Sequence, residues 1–306
     1  MKRDNFLIVF IFAIGFCSGV SAQGAGNKNS LLVKKTGKST LVVDPTFGAR
    51  VISLKYNDIE FLYGGYNNPE SSGSTFWPAP QKIWEWPPID TLDSKLYSME
   101  MDGKTQKFIS MPSRKSGFQF YKTFKVNPTD SSFVMEYTIK NISNSVKDVG
   151  CWEVSRVFPG GVTFFPAAPD SAILKQSKLP GVTLINGIVY FNYDYNQITE
   201  NTKLFAMGSE GWYAHVKNGI AFIKTFEDLP SNVIAPQQAE IEIYANGNPR
   251  YVELENHGRY ATLKPNETVK YNVKWYLRTV PKQLQQTEQR TDLVNWVRKQ
   301  IVHNVK

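Results

Sequence analysis

The chain has 306 residues, 42% apolar and 13% aromatic, with 20% charged and a formal net charge of +8. That content excludes a disordered chain and a collagen-like or low-complexity one. Two cysteines exclude a disulfide scaffold, and the aromatic load of 7 Trp, 15 Tyr and 19 Phe poses the question whether rings beyond those of the core mark a surface.

In chain order, the first element is an address. Lys2 and Arg3 precede the apolar run Phe6–Phe16, and small residues follow through Val20-Ser21-Ala22. The run is too short to span a bilayer, which takes roughly 20 apolar residues, and its flanks are those of a secretory signal peptide over 1–22, cleaved after Ala22. Cys17 follows the bulky Phe16, which disfavours lipidation there. The expectation is a periplasmic or secreted protein with no stable membrane anchor after cleavage and one remaining thiol, Cys151. Residues 23–30, rich in Gly, Asn, Lys and Ser, read as a flexible leader.

Residues 31–306 then read as a single domain in which side chains alternate with period 2. The Val51–Tyr56 and Ile59–Tyr63 segments flank an Asn57-Asp58 turn. The next segment, Phe76–Pro88, holds three Trp and four Pro. Its prolines predict a stiff loop, not a central strand or a helix. Trp77, Trp84 and Trp86 can plug the sandwich with their own rings, stack on the apolar face of a sugar, or dock a protein partner. Lys82 and Glu85 stand among them as hydrogen-bonding groups for hydroxyls.

Phe118–Val126 and Phe133–Ile139 alternate cleanly, as strands with one buried face do. In Cys151–Val157, Trp152, Val154 and Arg156 share one face, and Cys151, Glu153 and Ser155 the other. Arg156 can clamp a carboxylate or hydroxyl, or close a structural ion pair; Cys151 reads as a core residue, with no histidine near it in sequence. Lys217-Asn218-Gly219 makes a hairpin of Gly211–Val216 and Ile220–Phe226. His215 and Lys224 on that hairpin are placed to reach the cleft of the next segment. There, in Tyr251–Gly258, Val252 and Leu254 go to the core, while Tyr251, Glu253, Glu255 and His257 line the opposite face. Two carboxylates and an imidazole are costly to crowd together, because like charges raise each other's pKa, and that suits acid–base work; the same pattern also fits a solvated outer face. Val269–Leu277 alternates again. A helix over 291–303 carries Leu293, Trp296, Val297 and Ile301 on one stripe, with His303 near its C-terminal end.

No His-x-x-x-His or Cys-x-x-Cys spacing occurs, so no metal is predicted, and no phosphate loop or dinucleotide fingerprint points to a cofactor. Export and the lack of a concentrated basic run argue against nucleic acid. The fold class is all-β, one large antiparallel β-sandwich closed by a short C-terminal helix.

Gly48–Leu62 resembles the opening hairpin of galactose mutarotase-like (aldose 1-epimerase-like) proteins. Glu136–Ser143 resembles their strand ending in Asn-x-Ser/Thr. Val252–Gly258, Leu263–Glu267 and Val273–Arg278 resemble their closing strands. More narrowly, the chain is similar to a secreted branch of that superfamily, many from Bacteroidota, that carries a domain of unknown function. The resemblance covers about residues 31–279. It implies a β-supersandwich with a sugar-binding concave face, and a histidine acid and glutamate base that open and reclose the sugar ring at C1. Glu253 or Glu255 matches the base. The histidine segment is replaced by Cys151–Arg156, which has no His. Three readings stand: an altered sugar epimerase, another carbohydrate-active enzyme, or a non-catalytic sugar-binding protein; a protein-interaction module using the Trp/Pro loop is the alternative. The net positive charge suits an acidic glycan.

Overall fold

The computed structural model describes residues 31–64, 69–169, 178–248, 250–285 and 290–301. The signal segment, the leader and His303 lie outside them. Twenty strands follow one another among the described residues: β1 (Leu32–Thr36), β2 (Ser39–Asp44), β3 (Arg50–Tyr56), β4 (Ile59–Glu60), β5 (Ser74–Ala79), β6 (Ser98–Asp102), β7 (Thr105–Ile109), β8 (Phe118–Asn127), β9 (Ser132–Asn141), β10 (Lys147–Val157), β11 (Val162–Pro166), β12 (Val182–Ile185), β13 (Ile188–Asn192), β14 (Thr202–Ala206), β15 (Trp212–Lys217), β16 (Ile220–Thr225), β17 (Ile241–Asn246), β18 (Tyr251–His257), β19 (Ala261–Leu263) and β20 (Thr268–Thr279). Short helices α1 (Asp90–Asp93) and α2 (Lys282–Gln285) and the longer α3 (Arg290–Ile301) complete the chain. No helix of the described residues is long and apolar enough to cross a membrane.

The strands form two ten-stranded antiparallel sheets. The first runs β1-β2-β3-β5-β10-β18-β17-β14, with β4 on β3 and β19 on β10; the second runs β12-β13-β11-β15-β16-β20-β9-β8-β7-β6. The expected hairpins are present, and Asn57, Asn218 and Gly219 take the positive φ (52°, 51° and 72°) that tight two-residue turns require. Between the sheets lies one apolar core: Phe120, Phe124, Met135 and Ile139 from the second sheet meet Leu41, Val43, Cys151, Ile243, Val252 and Leu254 from the first. The period-2 pattern of β8 and β9 appears as strict alternation of burial along both strands. The helix packs Leu293, Val294 and Val297 against Phe164, Trp212, Ala214 and Tyr276 on the outer face of the second sheet.

The structure corrects the reading of the Trp/Pro segment. Ser74–Ala79 is a strand inside the first sheet, and Trp77 and Pro78 belong to it. Pro78 is tolerated because β3 touches β5 at a single register pair, Val51–Ser74. From Thr75 onward β5 bonds only β10, and the missing N–H of Pro78 costs no ladder bond on its open side. The chain then turns through a short 3-10 segment, Gln81–Ile83, and only this later part is a loop.

Charged groups also enter the sandwich. Lys224 of β16 donates to Glu153 Oε2 (2.8 Å), Ser155 Oγ (2.7 Å) and Asn256 Oδ1 (3.3 Å), all fully buried. Tyr137 donates to Glu153 Oε1 (2.7 Å), and Tyr213 to Asn256 Oδ1 (2.9 Å). Lys122 of β8 donates to the Gly48 carbonyl (2.6 Å) and lies over the Tyr97 ring. Burial pushes Lys122 down to about 7, against the opposing pull of Asp93. An unfolded lysine titrates near 10.4. Between these values the unfolded chain binds the extra proton, so the Lys122 contribution to stability rises with pH. Urea midpoints at pH 7 and pH 9.5 test this: the wild type gains up to about 3 kcal/mol over the window from this group, and Lys122→Met removes that gain.

Candidate functional site

The site grows from register. Antiparallel partners directly opposite each other point to the same face. On β10 and β18 the pairs are Trp152–His257, Val154–Glu255 and Arg156–Glu253. On β5 and β10, Trp77 faces Trp152. On β18 and β17, Glu255 faces Glu242 and Glu253 faces Tyr244; on β17 and β14, Tyr244 faces Lys203. Since Cys151, Val252, Leu254 and Ile243 fill the core, the alternate set lies on the outer face of the first sheet. The expected grouping of Glu253, Glu255 and His257 on one face of β18, and of Trp152 and Arg156 on one face of β10, is what the register produces. Gly258 ends β18 because a Cβ there would lie 2.5 Å from the Tyr271 ring.

A tryptophan wall stands over part of this floor. Trp77 meets Trp152 edge-on at 5.2 Å and Trp84 at 5.6 Å. Both Trp77 and Trp84 are buried. Trp84 Nε1 donates to the Pro78 carbonyl (2.7 Å), and Trp77 Nε1 to Asp93 Oδ1 (2.7 Å), whose other oxygen pairs with buried Arg50 (2.9 Å). Trp86 stays 63% exposed, edge-on to Trp77 at 6.2 Å. Lys82 and Glu85 are exposed on the turn. Of the three rings singled out in the sequence, two pack in the wall and one stands at its rim.

Beside the wall, charges concentrate. Lys203 Nζ sits 2.5 Å from Glu242 Oε2 and 2.8 Å from Glu255 Oε2, and 5.0 Å over the Trp152 ring. Trp152 Nε1 donates to Glu255 Oε2 (2.8 Å), and its ring stacks on His257 at 5.2 Å. His257 Nε2 lies 3.2 Å from Glu242 Oε1, which also accepts the Ala239 N–H (2.8 Å). Arg156 Nε pairs with Glu253 Oε1 (2.9 Å) and stands 5.3 Å over Trp77. Glu242, Glu255 and His257 are completely buried; Lys203 keeps 22% of its side chain in solvent. Burial raises Glu255 to about 8; Lys203 opposes this, and the Glu242 charge adds to it. Burial acts the same way on Glu242, but Lys203 and His257 outweigh it and hold that carboxyl down, to about 2. The two carboxylates are thus pulled in opposite directions, Glu242 downward by Lys203 and His257 and Glu255 upward by burial. Glu255 Oε1 and His257 Nδ1 are buried with no hydrogen-bond partner among the described residues.

Oxygens of Glu242 and Glu255 and a ring nitrogen of His257 lie within 4.8 Å of one another, a spacing that could hold a cation. The Lys203 ammonium already bridges both carboxylates, so the positive charge a metal would bring is supplied by this side chain.

His215 and Lys224 do not reach this cleft, contrary to the sequence expectation. Both point between the sheets: Lys224 is held by Glu153, and His215 Nδ1 pairs with Thr163 Oγ1 (2.9 Å), with burial lowering the imidazole to about 3. Their alternation had left two faces to choose from, and packing put both on the inner one. Cys151 is buried, and its thiol is pushed upward by that burial, as expected of a core residue. Sequence reasoning missed Glu242 and Lys203. A signal existed for the first, since a glutamate alternates with two core isoleucines in Ile241-Glu242-Ile243; nothing in sequence paired β14 and β17 with β18.

Two large facing antiparallel sheets with few helices match the galactose mutarotase-like fold. Among solved structures, a galactose mutarotase related enzyme from Lactobacillus acidophilus superposes with a TM-score of 0.57 at 10% identity, covering 83% of this chain and 99% of that one. A putative aldose 1-epimerase from Escherichia coli K12 gives 0.56 at 10% identity, covering 82% and 99%. A galactose mutarotase-like protein from Lactobacillus casei gives 0.56 at 10%, covering 81% and 100%. At these identities the likeness concerns the fold. The chain belongs to the family described as a domain of unknown function, DUF4380, whose model matches residues 79–278, more than half of it. No curated protein matches the chain.

Proposed function

We propose that this chain is an exported carbohydrate-binding protein that exchanges a proton with a bound sugar in the manner of an aldose epimerase. One observation carries the reading: Glu255 is buried, poised near neutral pH, and keeps one oxygen unpaired beside an unpaired His257 nitrogen. A buried polar atom without a protein partner calls for a partner of another kind, a water, an ion or a ligand. A hemiacetal hydroxyl is such a partner. In this reading Glu255 takes the anomeric proton, His257 assists at the ring oxygen, and reclosure from the other face inverts C1. A carboxyl titrating near the working pH is efficient at such exchange. Lys203 stabilises the charge as it moves, and Arg156 with Glu253 offers hydroxyl contacts. Trp86 gives the sugar an apolar face to stack on. One exposed ring at the rim of a polar cluster suits a sugar better than a protein partner, which calls for a broad apolar patch.

Calorimetry of the mature chain against a panel of mono- and oligosaccharides, with polarimetry of aldose mutarotation, tests the reading. Binding of at least one sugar is expected, and binding of none overturns it. Trp86→Ala raises the Kd about tenfold, a loss of roughly 1.4 kcal/mol, and leaves the melting temperature in place because the ring is mostly exposed. An unchanged Kd would take Trp86 out of the site. Export is checked by mass: mature protein recovered outside the cytoplasm begins at Gln23.

A further inference from the structure

The outer face of the second sheet holds a second polar concavity, away from Glu255. It is a trough of about 510 Å3 across β7, β8, β9 and β20, with Tyr121, Thr138, Asn272, Lys107, Lys140 and Lys270 in its lining. The side chains there are the solvent set of the alternating strands, and α3 of the described residues packs elsewhere on this sheet, on Phe164, Trp212, Ala214 and Tyr276. The ring of Tyr121 is half-buried on the floor, with Lys107 Nζ 4.8 Å from its centroid. Lys125 is matched by Glu136 at 2.7 Å, and Lys274 by Asp130 at 3.5 Å. Asp102 and Glu136 are the acidic groups of the lining, Glu100 stands opposite Lys107 on β6, and Lys270 acts on Glu136 from a distance; none of Lys107, Lys140 and Lys270 closes an ion pair within 4 Å of a described carboxylate. Register pairs Lys140 with Thr268 and Thr138 with Lys270. The two lysines are therefore diagonal neighbours, about 7–8 Å apart, with hydroxyls between them.

We propose that this trough binds an acidic polysaccharide, a chain of uronate or sulfated sugars, as a site separate from Glu255. The chemistry selects the class. Lysines spaced along a sheet meet repeated anionic groups. Threonine hydroxyls and the Asn272 amide meet sugar hydroxyls, and Tyr121 offers one ring to the C–H face of a sugar.

The experiment is calorimetry of the mature chain with polygalacturonate, with dextran as the neutral control and a single-stranded oligonucleotide of matched charge as competitor. Polygalacturonate binds and dextran does not. Its affinity falls with added salt, and the double variant Lys140→Glu/Lys270→Glu weakens it at least tenfold at an unchanged melting temperature. Tyr121→Ala weakens it several-fold, a change that charge attraction alone would not give. Trp86→Ala, which weakens sugar binding at the Glu255 site, leaves polygalacturonate binding unchanged. The proposal is overturned if polygalacturonate does not bind, if the lysine variant binds it normally, if Trp86→Ala weakens it about tenfold, or if the oligonucleotide competes at equal affinity. Weakened binding in Trp86→Ala would move polygalacturonate to the Glu255 site; the other outcomes leave sugar binding at Glu255, which the monosaccharide panel reads separately, untouched.

Discussion

Glu255→Gln is expected to lower turnover on an active aldose by about 10²–10⁴-fold, the usual size of a general acid–base contribution. The amide keeps the side chain's shape and can still accept from Trp152 Nε1, the 2.8 Å bond that orients it, but it cannot take up or release a proton. The sugar Kd therefore changes little while the rate collapses. The wild-type rate falls with acid below about pH 8, because Glu255 must be ionised to take the anomeric proton and burial holds its proton on to about that pH. Lys203→Met moves that limb upward, since the ammonium 2.8 Å away is the group that opposes the burial. Full turnover in Glu255→Gln would end the proton-transfer reading and leave a sugar-binding protein. A pH limb that stays in place in Lys203→Met would mean that the lysine does not tune this carboxyl.

The second large effect is on stability. Lys224→Met removes the cation from the interior and leaves Glu153 buried with Tyr137 and Trp275 as its remaining side-chain donors. Breaking a buried pair on one side costs about 3–5 kcal/mol, which for a domain of this size lowers the melting temperature on the order of 10 °C. The double variant Lys224→Met/Glu153→Gln recovers much of this loss, because no uncompensated charge remains. Asn256 and Ser155, which Lys224 also holds, alternate along their strands with Glu255, His257, Val154 and Arg156. Loosening the inner network therefore also loosens the outer site, and sugar affinity in Lys224→Met drops more than its distance from the sugar would suggest. An unchanged sugar Kd in folded Lys224→Met would show that the two faces are uncoupled.

The sequence by itself determined the local facts. Period-2 alternation divides β10 and β18 into two faces with the right members on each, the Asn-Gly pair marks the β15–β16 hairpin, and the stripe Leu293, Val297 marks α3. These are decided by side-chain periodicity and backbone sterics within a few residues, and so are legible in any one stretch. It also carried the family likeness, through the closing-strand residues Val252–Gly258 and Val273–Arg278. Only the tertiary structure decided which face is inner and which is outer. His215 and Lys224 sit on strands whose two faces are both covered, one by the facing sheet and one by α3, so alternation alone could not orient them. It decided that β17 and β14 lie beside β18, which brings Glu242 and Lys203 to Glu255 across more than ten and fifty residues of sequence. It decided that Pro78 sits in a strand, because β3 diverges after Ser74 and leaves that edge unpaired. The opposite pulls on Glu242 and Glu255 follow from those contacts, since neither burial nor the placement of a lysine is written in the spacing of the residues that feel it.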